Sequence, residues 1–307
     1  MSRMTIFTAP KPFTHPHIDL IQRNAIRSWL QLGPEVQVIV IGEEDGLAEA
    51  AAELGVLHLP QVARNAQGTP LVSSIFELAR QASDSPLLTY VNADILLFPD
   101  LLQVTQQVQQ QAAHFLLVGQ RWDLALTQPI DFSAGWQARL LGQVHTSGRL
   151  HPRGGSDYFV FPRACFEAIP DFAIGRAGWD NWMIFEARQR GWKVVDASSA
   201  ITIVHQDHDY AHLPQGQAHY RLPETAENVR LAGGERAIFN LLDADYQLMD
   251  DQLRPFPRRG AKLWREVEIF PLVRLHSKAL AQLFYAIFHP QKVYAQARAW
   301  LAKKRRA

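Results

Sequence analysis

The first 120 residues alternate short apolar or β-branched runs with segments whose apolar residues recur at helical spacing. Ile18, Ile21, Ala25 and Trp29, for example, fall on one face of a helix. Alternating strands and helices favour βαβ units and a mostly parallel sheet. The predicted strands are Thr5–Thr8, Val36–Ile41, Val56–His58, Leu87–Asn92 and Phe115–Gly119, and the predicted helices are Ile18–Leu32, Gly46–Leu54, Leu71–Ala82 and Leu101–Ala113.

The alternation stops after Gln120, where a Gly- and aromatic-rich stretch to Gly155 predicts loops over a site. Regular structure is expected again in a strand at Asp157–Phe161, a helix at Asp180–Arg190, and strands at Lys193–Asp196 and Ile201–Val204. We therefore predict a core at 1–212, an excursion or linker at 213–260, and a basic helical extension at 261–307 whose helices are Leu272–Phe288 and Gln291–Lys304.

Composition is that of an ordinary globular protein, with 47% hydrophobic and 20% charged residues. The single cysteine, Cys165, cannot form an intramolecular disulfide, and the N-terminus lacks the apolar segment of a signal peptide. No apolar run approaches the roughly 18 residues typical of a membrane-spanning helix. These features predict a cytoplasmic protein.

Charge is distributed unevenly. From Arg254 onward there are 13 Lys or Arg and two Glu, which leaves 18 basic and 28 acidic residues before it, or about +11 and −10. An anionic partner of the tail is therefore expected: a membrane surface, nucleic acid or the acidic body itself.

The last predicted helix places Val293, Ala297, Trp300 and Leu301 on one face beside basic residues, a pattern typical of a helix in a membrane interface. Upstream, a second apolar stripe is expected to pack on the body; its members are Leu272, Leu275, Ala279, Leu283 and Ile287. The alternative is that the whole tail is a docked pair of structural helices.

Candidate chemistry begins with Asn92 and Asp94, which follow an apolar strand. Ligands of parallel α/β sheets bind beyond the carboxyl ends of the strands, so these side chains are expected at a cleft rim. The alternative is an Asx turn that ends the strand.

A second cluster, in the sequence IVHQDHDYAH, follows the last strand of the core and contains His205, Asp207, His208, Asp209 and His212. Imidazole and carboxylate together suit a divalent transition metal. A polar surface loop is the alternative.

Two further stretches contain a carboxylate in a distinctive setting. Asp180 lies between Trp179 and Trp182 at a predicted helix start, which suits a general base above a sugar-stacking floor, or simply an N-cap. Asp157 follows Gly154 and Gly155 in RGGSDYFVFPR, which suits close approach of a ligand to the backbone, or simply a tight turn.

Walker, GxGxxG, GxSxG, HExxH and paired CxxC motifs do not occur. Their absence disfavours NTP-driven phosphoryl transfer and nicotinamide redox chemistry.

The order VNADI, GWDNW, IVHQDH resembles nucleotide-sugar glycosyltransferases of the GT-A fold, over about Thr5 to His212. In that family an Asp-x-Asp element after a strand precedes an acidic element at a helix start and a metal-ligating His after a late strand. The GGSDYFVFPR and GWDNW segments are also similar to glucosyltransferases that modify hydroxymethyluracil in DNA (the base J type) and their bacterial relatives. The implied fold is α/β, with a Rossmann-like, mostly parallel sheet flanked by helices.

The GT-A resemblance also implies roles. Asp94 would bind Mn²⁺ or Mg²⁺ with His205, and with His208 as a competing ligand; Asn92 departs from the family pattern at the first acidic position. Asp180 would deprotonate the acceptor in an inverting reaction. The implied donor-binding residues are Thr8, Ala9, Lys11, Glu43, Arg64, Asn65, Gly68, Thr69, Ser73, Asn92, Asp94 and Arg121, and the acceptor-side residues are Gly155, Ser156, Asp157, Trp179, Asn181 and Trp182.

The predicted function is therefore sugar transfer from a nucleotide-sugar, with UDP-sugar favoured, to a saccharide, protein or lipid-linked acceptor at the inner face of the membrane. Nucleic acid is not the expected acceptor. Two alternatives stay open: a metal-dependent hydrolase or phosphatase that uses Asp94, Asp180, His205 and His208, and a non-catalytic nucleotide-sugar-binding protein.

Overall fold

The computed structural model describes residues 2–208, 222–295 and 298, which form an α/β structure. Its strands are β1 (Met4–Thr8), β2 (Val36–Ile41), β3 (Leu57–Leu59), β4 (Leu87–Val91), β5 (Ile95–Leu97), β6 (Phe115–Val118), β7 (Trp122–Leu124), β8 (Arg149–Leu150), β9 (Tyr158–Pro162), β10 (Lys193–Asp196), β11 (Ile203–Gln206), β12 (Tyr246–Met249) and β13 (Gln252–Pro255). Its helices are α1 (Pro16–Leu30), α2 (Leu47–Leu54), α3 (Val72–Gln81), α4 (Asp100–Gln111), α5 (Trp136–Ser147), α6 (Trp179–Gln189), α7 (Pro223–Leu231), α8 (Gly260–Val273) and α9 (Lys278–Phe288).

The main sheet has the strand order β13-β12-β10-β6-β9-β4-β1-β2-β3. Neighbouring strands are parallel except at β9, which runs antiparallel between β4 and β6, and at the edge pair β12 and β13. The predicted mostly parallel sheet is therefore confirmed.

Alternate residues of the strands enter different cores. Ile6 belongs to a cluster with Trp29 of α1, whereas Phe7 belongs to a cluster on the other face with Phe76 of α3 and Trp179 of α6. A sheet covered on both faces needs apolar residues in both registers, which explains the continuous apolar runs of β1, β2 and β4.

A second, four-stranded sheet has the order β5-β11-β7-β8. β11 lies antiparallel to β5 and parallel to β7, which places His205 opposite both Ile95 and Asp123. This small sheet therefore brings residues that are far apart in sequence to the end of β4.

Most predicted elements of the core occur within two residues of their expected bounds. The prediction of loops from Gln120 to Gly155 was incomplete, because the segment also contains β7, α5 and β8. α5 buries only Trp136, Leu140 and Val144, so its apolar stripe is too narrow to stand out in the sequence.

The C-terminal region also differs from expectation. The described part of 213–260 supplies β12 and β13 to the main sheet, while the division into domains remains a prediction. The single helix expected at Leu272–Phe288 is two helices, α8 and α9, which are separated by a turn with His276 at a φ of 50°. Most of the last predicted helix lies outside the described residues, as do Asp209 and His212.

Among the helices that the structure describes, none is long and apolar enough to cross a membrane.

Trp29 connects α1 to the strand that follows Asp94. Its indole is fully buried, and Nε1 donates a hydrogen bond to the carbonyl of Ile95 at 2.8 Å. We predict that Trp29→Phe lowers the free energy of unfolding by about 2 kcal/mol, because it leaves that carbonyl unpaired and opens a cavity. Chemical denaturation checks this, with Leu30→Ala on the exposed side of α1 as the control. Equal stability of the two variants would contradict the assignment.

Candidate functional site

The site forms at one edge of the main sheet. The parallel strands β1, β2, β4 and β6 all end there, and the antiparallel strand β9 begins there. Residues at the carboxyl ends of strands in such sheets commonly line ligand clefts. The edge therefore collects Lys11, Glu43, Asp94, Arg121 and Asp157.

Asp94 is the centre of a compact cluster. Its Oδ2 lies 3.0 Å from His208 Nε2, 4.0 Å from His205 Nε2 and 3.8 Å from Lys11 Nζ. Lys11 Nζ also lies 3.1 Å from His208 Nε2. The side chains of Asp94 and both histidines are at least 86% buried, since they keep 13%, 14% and 7% exposure. The structure therefore brings together the three residues predicted as metal ligands and one predicted donor-binding residue.

Burial disfavours the charged form of each group in this cluster, but neighbouring groups keep Asp94 ionised. Burial would raise the pKa of Asp94, but the hydrogen bond from His208, the charge of Lys11 and, at acid pH, the charge of protonated His205 together hold it well below its usual range. Burial lowers the pKa of Lys11, and burial with nearby Arg121 lowers the pKa of His205. The lowered pKa of His205 favours its neutral imidazole, which is the form that binds a metal.

The cluster fits a divalent cation. Asp94, His205 and His208 each offer a ligand atom, and these atoms lie within 4.8 Å of one another. Asp94 Oδ1 is buried without a hydrogen-bond partner among the described residues, so one carboxylate oxygen has an unmet need for a positive partner. One carboxylate with two imidazoles suits Mn²⁺ and other transition metals better than Mg²⁺.

Asn92 does not share this cluster. Its Nδ2 donates to Asp157 Oδ1 at 2.9 Å, and its Oδ1 accepts a hydrogen bond from the Tyr90 hydroxyl at 3.1 Å. Arg121 donates to the same Asp157 oxygen at 2.6 Å. The amide therefore positions Asp157, and the predicted Asn92, Arg121 and Asp157 form one network beside the cation cluster.

Asp123 was not predicted from the sequence, yet it lies beside the cation cluster. Its Oδ1 lies 3.2 Å from His205 Nδ1, and its other oxygen lies 2.8 Å from His151 Nδ1. Hydrogen bonds from His151 and Arg121 overcome burial and lower the pKa of Asp123 to about 2. A carboxylate behind an imidazole commonly fixes which ring nitrogen faces a metal. Only the register of β7 on β11 brings Asp123 to His205, so no local sequence signal identified it.

Asp180 lies in the first turn of α6, where Gly178, and not Asp180, is the N-cap. Burial raises the pKa of Asp180 to about 6, despite a hydrogen bond from the amide of Gly178. Burial, followed by the charges of Asp94, Asp157 and Asp180, raises the pKa of Tyr90. The charge of Asp157 also raises the pKa of Asp180, and the resulting value suits a general base near neutral pH.

Trp179 and Trp182 do not offer the exposed stacking floor that was expected. Their exposures are 5% and 6%, and both belong to the core between α6 and the sheet. Trp179 packs edge-on against Tyr90 at a centroid distance of 5.0 Å. These two aromatic residues therefore pack in the core, although they flank a carboxylate at a helix start.

Four of the predicted donor-binding residues, Arg64, Asn65, Gly68 and Thr69, lie in one tight turn. Asn65 and Thr69 close it through a backbone hydrogen bond, and Gly68 adopts a φ of 82°. Arg64 binds the carbonyl of Gly68 and lies 3.3 Å from Glu43, whose side chain remains 67% exposed. The turn is thus fastened to the end of β2.

The remaining predicted residues are scattered around the edge. Thr8 is buried, and the Ser73 hydroxyl donates a hydrogen bond to Asp171. The side-chain amide of Asn65 donates to Glu224, and that of Asn181 donates to the carbonyl of Phe239. Ala9 and Gly155 are partly buried, and Ser156 is buried at the start of β9. Their contacts with a ligand stay predictions.

No protein-family model matches the chain, and no curated protein sequence matches it. Solved structures with a similar fold include a mannosyltransferase from Pyrobaculum calidifontis in complex with GDP-Man and Mn²⁺, at 12% identity and a TM-score of 0.43. That match covers 68% of this chain and 58% of the mannosyltransferase.

Another similar structure is glucosyl-3-phosphoglycerate synthase from Mycobacterium tuberculosis in complex with Mg²⁺ and UDP, at 13% identity and a TM-score of 0.48. That match covers 76% of this chain and 80% of the synthase. Likenesses this distant establish neither a family nor a substrate. The relation to hydroxymethyluracil glucosyltransferases stays a prediction from short segments.

We predict that Asn92→Asp destabilises the fold and does not improve metal binding. The substitution removes the donor to Asp157 and places a second carboxylate against it, which should cost about 1–3 kcal/mol near pH 7.5. The deficit should shrink near pH 4.5, where a carboxyl can protonate and donate. Urea denaturation at both pH values measures it, with exposed Gln67→Glu as the control. Unchanged stability together with tighter Mn²⁺ binding would contradict this prediction and show that residue 92 can act as a metal ligand.

Proposed function

We propose that the protein is a glycosyltransferase that moves a sugar from a nucleoside diphosphate donor to a hydroxyl acceptor. The observation that carries this proposal is the Asp94, His205 and His208 cluster, with its unpaired carboxylate oxygen, at the carboxyl ends of parallel strands. A donor diphosphate needs concentrated positive charge at such an edge, and Lys11 beside a divalent cation supplies it.

Asp94, His205 and His208 would hold Mn²⁺, and UDP-sugars are the first donors to test. Bound there, the metal would supply Lewis-acid stabilisation of the departing diphosphate. Asp123, whose Oδ1 lies 3.2 Å from His205 Nδ1, would orient that imidazole, and Lys11 contributes a positive charge of its own at the same edge. The exposed carboxylate of Glu43, at the end of β2, is the proposed partner of the donor's ribose hydroxyls.

The acceptor side of the proposal assigns the base to Asp180. The acceptor oxygen attacks the anomeric carbon, the bond from that carbon to the diphosphate oxygen breaks, and Asp180 takes the acceptor proton. Direct displacement of this kind inverts the anomeric configuration. The raised pKa of Asp180 strengthens it as a base while leaving it ionised above pH 6.

Incubation with UDP-, GDP-, CDP- and dTDP-sugars, with and without Mn²⁺, tests the proposal through nucleotide release and the anomeric configuration of the product. Transfer to an added saccharide or lipid-linked hydroxyl supports a transferase. Release of free sugar at the same rate with and without acceptors would support the metal-dependent hydrolase. Nucleotide-sugar binding without turnover would support a non-catalytic binding protein.

We predict that Asp94→Asn weakens Mn²⁺-dependent UDP binding at least tenfold without unfolding the protein, because it removes the anionic metal ligand. Calorimetric titration with UDP in the presence and absence of Mn²⁺ measures the loss. Asp84→Asn, a fully exposed carboxylate before β4, is the control. Undiminished UDP affinity in Mn²⁺ would remove Asp94 from this role.

We predict that Asp180→Asn lowers kcat by about 10²–10⁴-fold and leaves UDP affinity unchanged. In the wild type at saturating Mn²⁺, the rate should rise with pH through about 6 and then level, because the base must be ionised. Asp19→Asn, which alters a first-turn carboxylate of α1, is the control.

Stability gives an independent readout of the same residue. A folded pKa raised to about 6 means that protonated Asp180 stabilises the fold at acid pH and that this contribution is lost as pH rises through 6. Asp180→Asn should therefore raise Tm at pH 7.5 and change it little near pH 4. A variant that keeps both kcat and the pH midpoint would overturn the assignment.

A further inference from the structure

Helices α8 and α9 expose an unusually apolar surface. Four side chains of α8 and three of α9 have exposures between 36% and 63%; we call them the hairpin face, and they are Leu263, Trp264, Val267, Phe270, Leu280, Leu283 and Ile287. Single exposed apolar residues are ordinary, but a contiguous apolar surface marks a binding site.

The hairpin face points away from the body. In α8 the residues Ile269, Leu272 and Val273 are buried against the main core, and in α9 Ala281 and Tyr285 are buried. Leu263, Val267 and Phe270 recur at i, i+4 and i+7, and Leu280, Leu283 and Ile287 at i, i+3 and i+7, so each set occupies the opposite side of its helix.

The two helices present one surface instead of two separate stripes. Trp264 of α8 contacts Phe288 of α9 at a ring-centroid distance of 6.3 Å. The connecting turn adds Leu275, which is 51% exposed. The stripe predicted to pack on the body is buried at Leu272, but the prediction was wrong for its other members, which are exposed: Leu275, Ala279, Leu283 and Ile287.

Charge identifies the kind of partner. Exposed basic residues extend the exposed side of α8 at both ends: Arg259 precedes Leu263 by four residues, and Arg274 follows Phe270 by four. The two acidic residues of the chain after Arg254 point inward, where Glu266 pairs with Arg188 and Lys262, and Glu268 pairs with Arg265 and His289. The surface is therefore apolar at its centre and cationic at its edge, with neither Glu available to offset that charge.

We propose that the hairpin face docks on an anionic phospholipid bilayer. Apolar side chains with a central tryptophan and a basic rim are the combination that holds amphipathic helices in the membrane interface. A symmetric dimer through the same face would set two cationic rims against each other, which disfavours a second copy as the occupant. This inference concerns α8 and α9, not the last predicted helix, and it does not depend on the proposed transfer reaction.

Co-sedimentation of the full chain with phosphatidylcholine vesicles, with and without phosphatidylserine, tests the proposal. The wild type should bind the anionic vesicles, less so at high salt. Trp264→Glu with Leu283→Glu should weaken binding at least tenfold, because both place a charge in the apolar centre. Arg259→Gln with Arg274→Gln should weaken it by about fivefold per charge removed.

Matched controls separate docking from folding and from the chain terminus. Leu57→Glu alters an apolar residue of β3 that is 40% exposed, and Arg3→Gln removes a distant exposed charge. Both should bind vesicles like the wild type, and all variants should keep the wild-type Tm within a few degrees. Replacement of residues 303–306 by alanine in the full chain should leave the effect of the hairpin substitutions intact.

Three results would overturn the proposal. The first is equal vesicle binding by the wild type and the Trp264→Glu, Leu283→Glu double variant. The second is equal binding of the wild type to neutral and anionic vesicles, and the third is a dimer that light scattering detects without vesicles and that the double variant dissociates.

Discussion

A carboxylate that is almost entirely buried, with one oxygen lacking a partner, is the constraint around which the site is organised. Asp94 remains ionised because the hydrogen bond from His208 and the charge of Lys11 act on its other oxygen, 3.0 Å and 3.8 Å away. A buried charge is tolerated only with such compensation. Lys11 approaches the same atoms that would bind a metal, so a divalent cation must take over part of the stabilisation that this ammonium provides.

The two sheets make this convergence possible. The main sheet places the ends of β1 and β4 side by side, and thereby Lys11 near Asp94. The small sheet returns β11 to β5 and β7, and thereby brings His205 between Asp94 and Asp123. Trp29 anchors β5 to α1, so the geometry of the cluster rests on packing of the core as well as on charge.

The sequence was most informative where one local pattern decides the outcome. The apolar runs of β1, β2 and β4 and the helical spacing of α1 allowed these elements to be predicted, and VNADI and IVHQDH identified three members of the cation cluster. Asp123 could not be predicted in this way, because its position depends on strand pairing across 82 residues. Trp179 and Trp182 misled for a related reason: aromatic residues look alike in sequence whether they face a ligand or the core. The exposure of Leu283 and Ile287 likewise depends on tertiary packing, because α9 packs on the body through its other side.

The central claim is that Asp94, His205 and His208 form a divalent-metal site that receives a nucleoside diphosphate. The most direct measurement is a crystal structure of the protein grown with Mn²⁺ and UDP, with anomalous scattering recorded at the manganese edge. The account predicts one strong anomalous peak within bonding distance of Asp94, His205 and His208, with the diphosphate oxygens of UDP bound to the same ion. UDP bound elsewhere, or manganese found only on exposed carboxylates while this cluster keeps Lys11 as its cation, would contradict it.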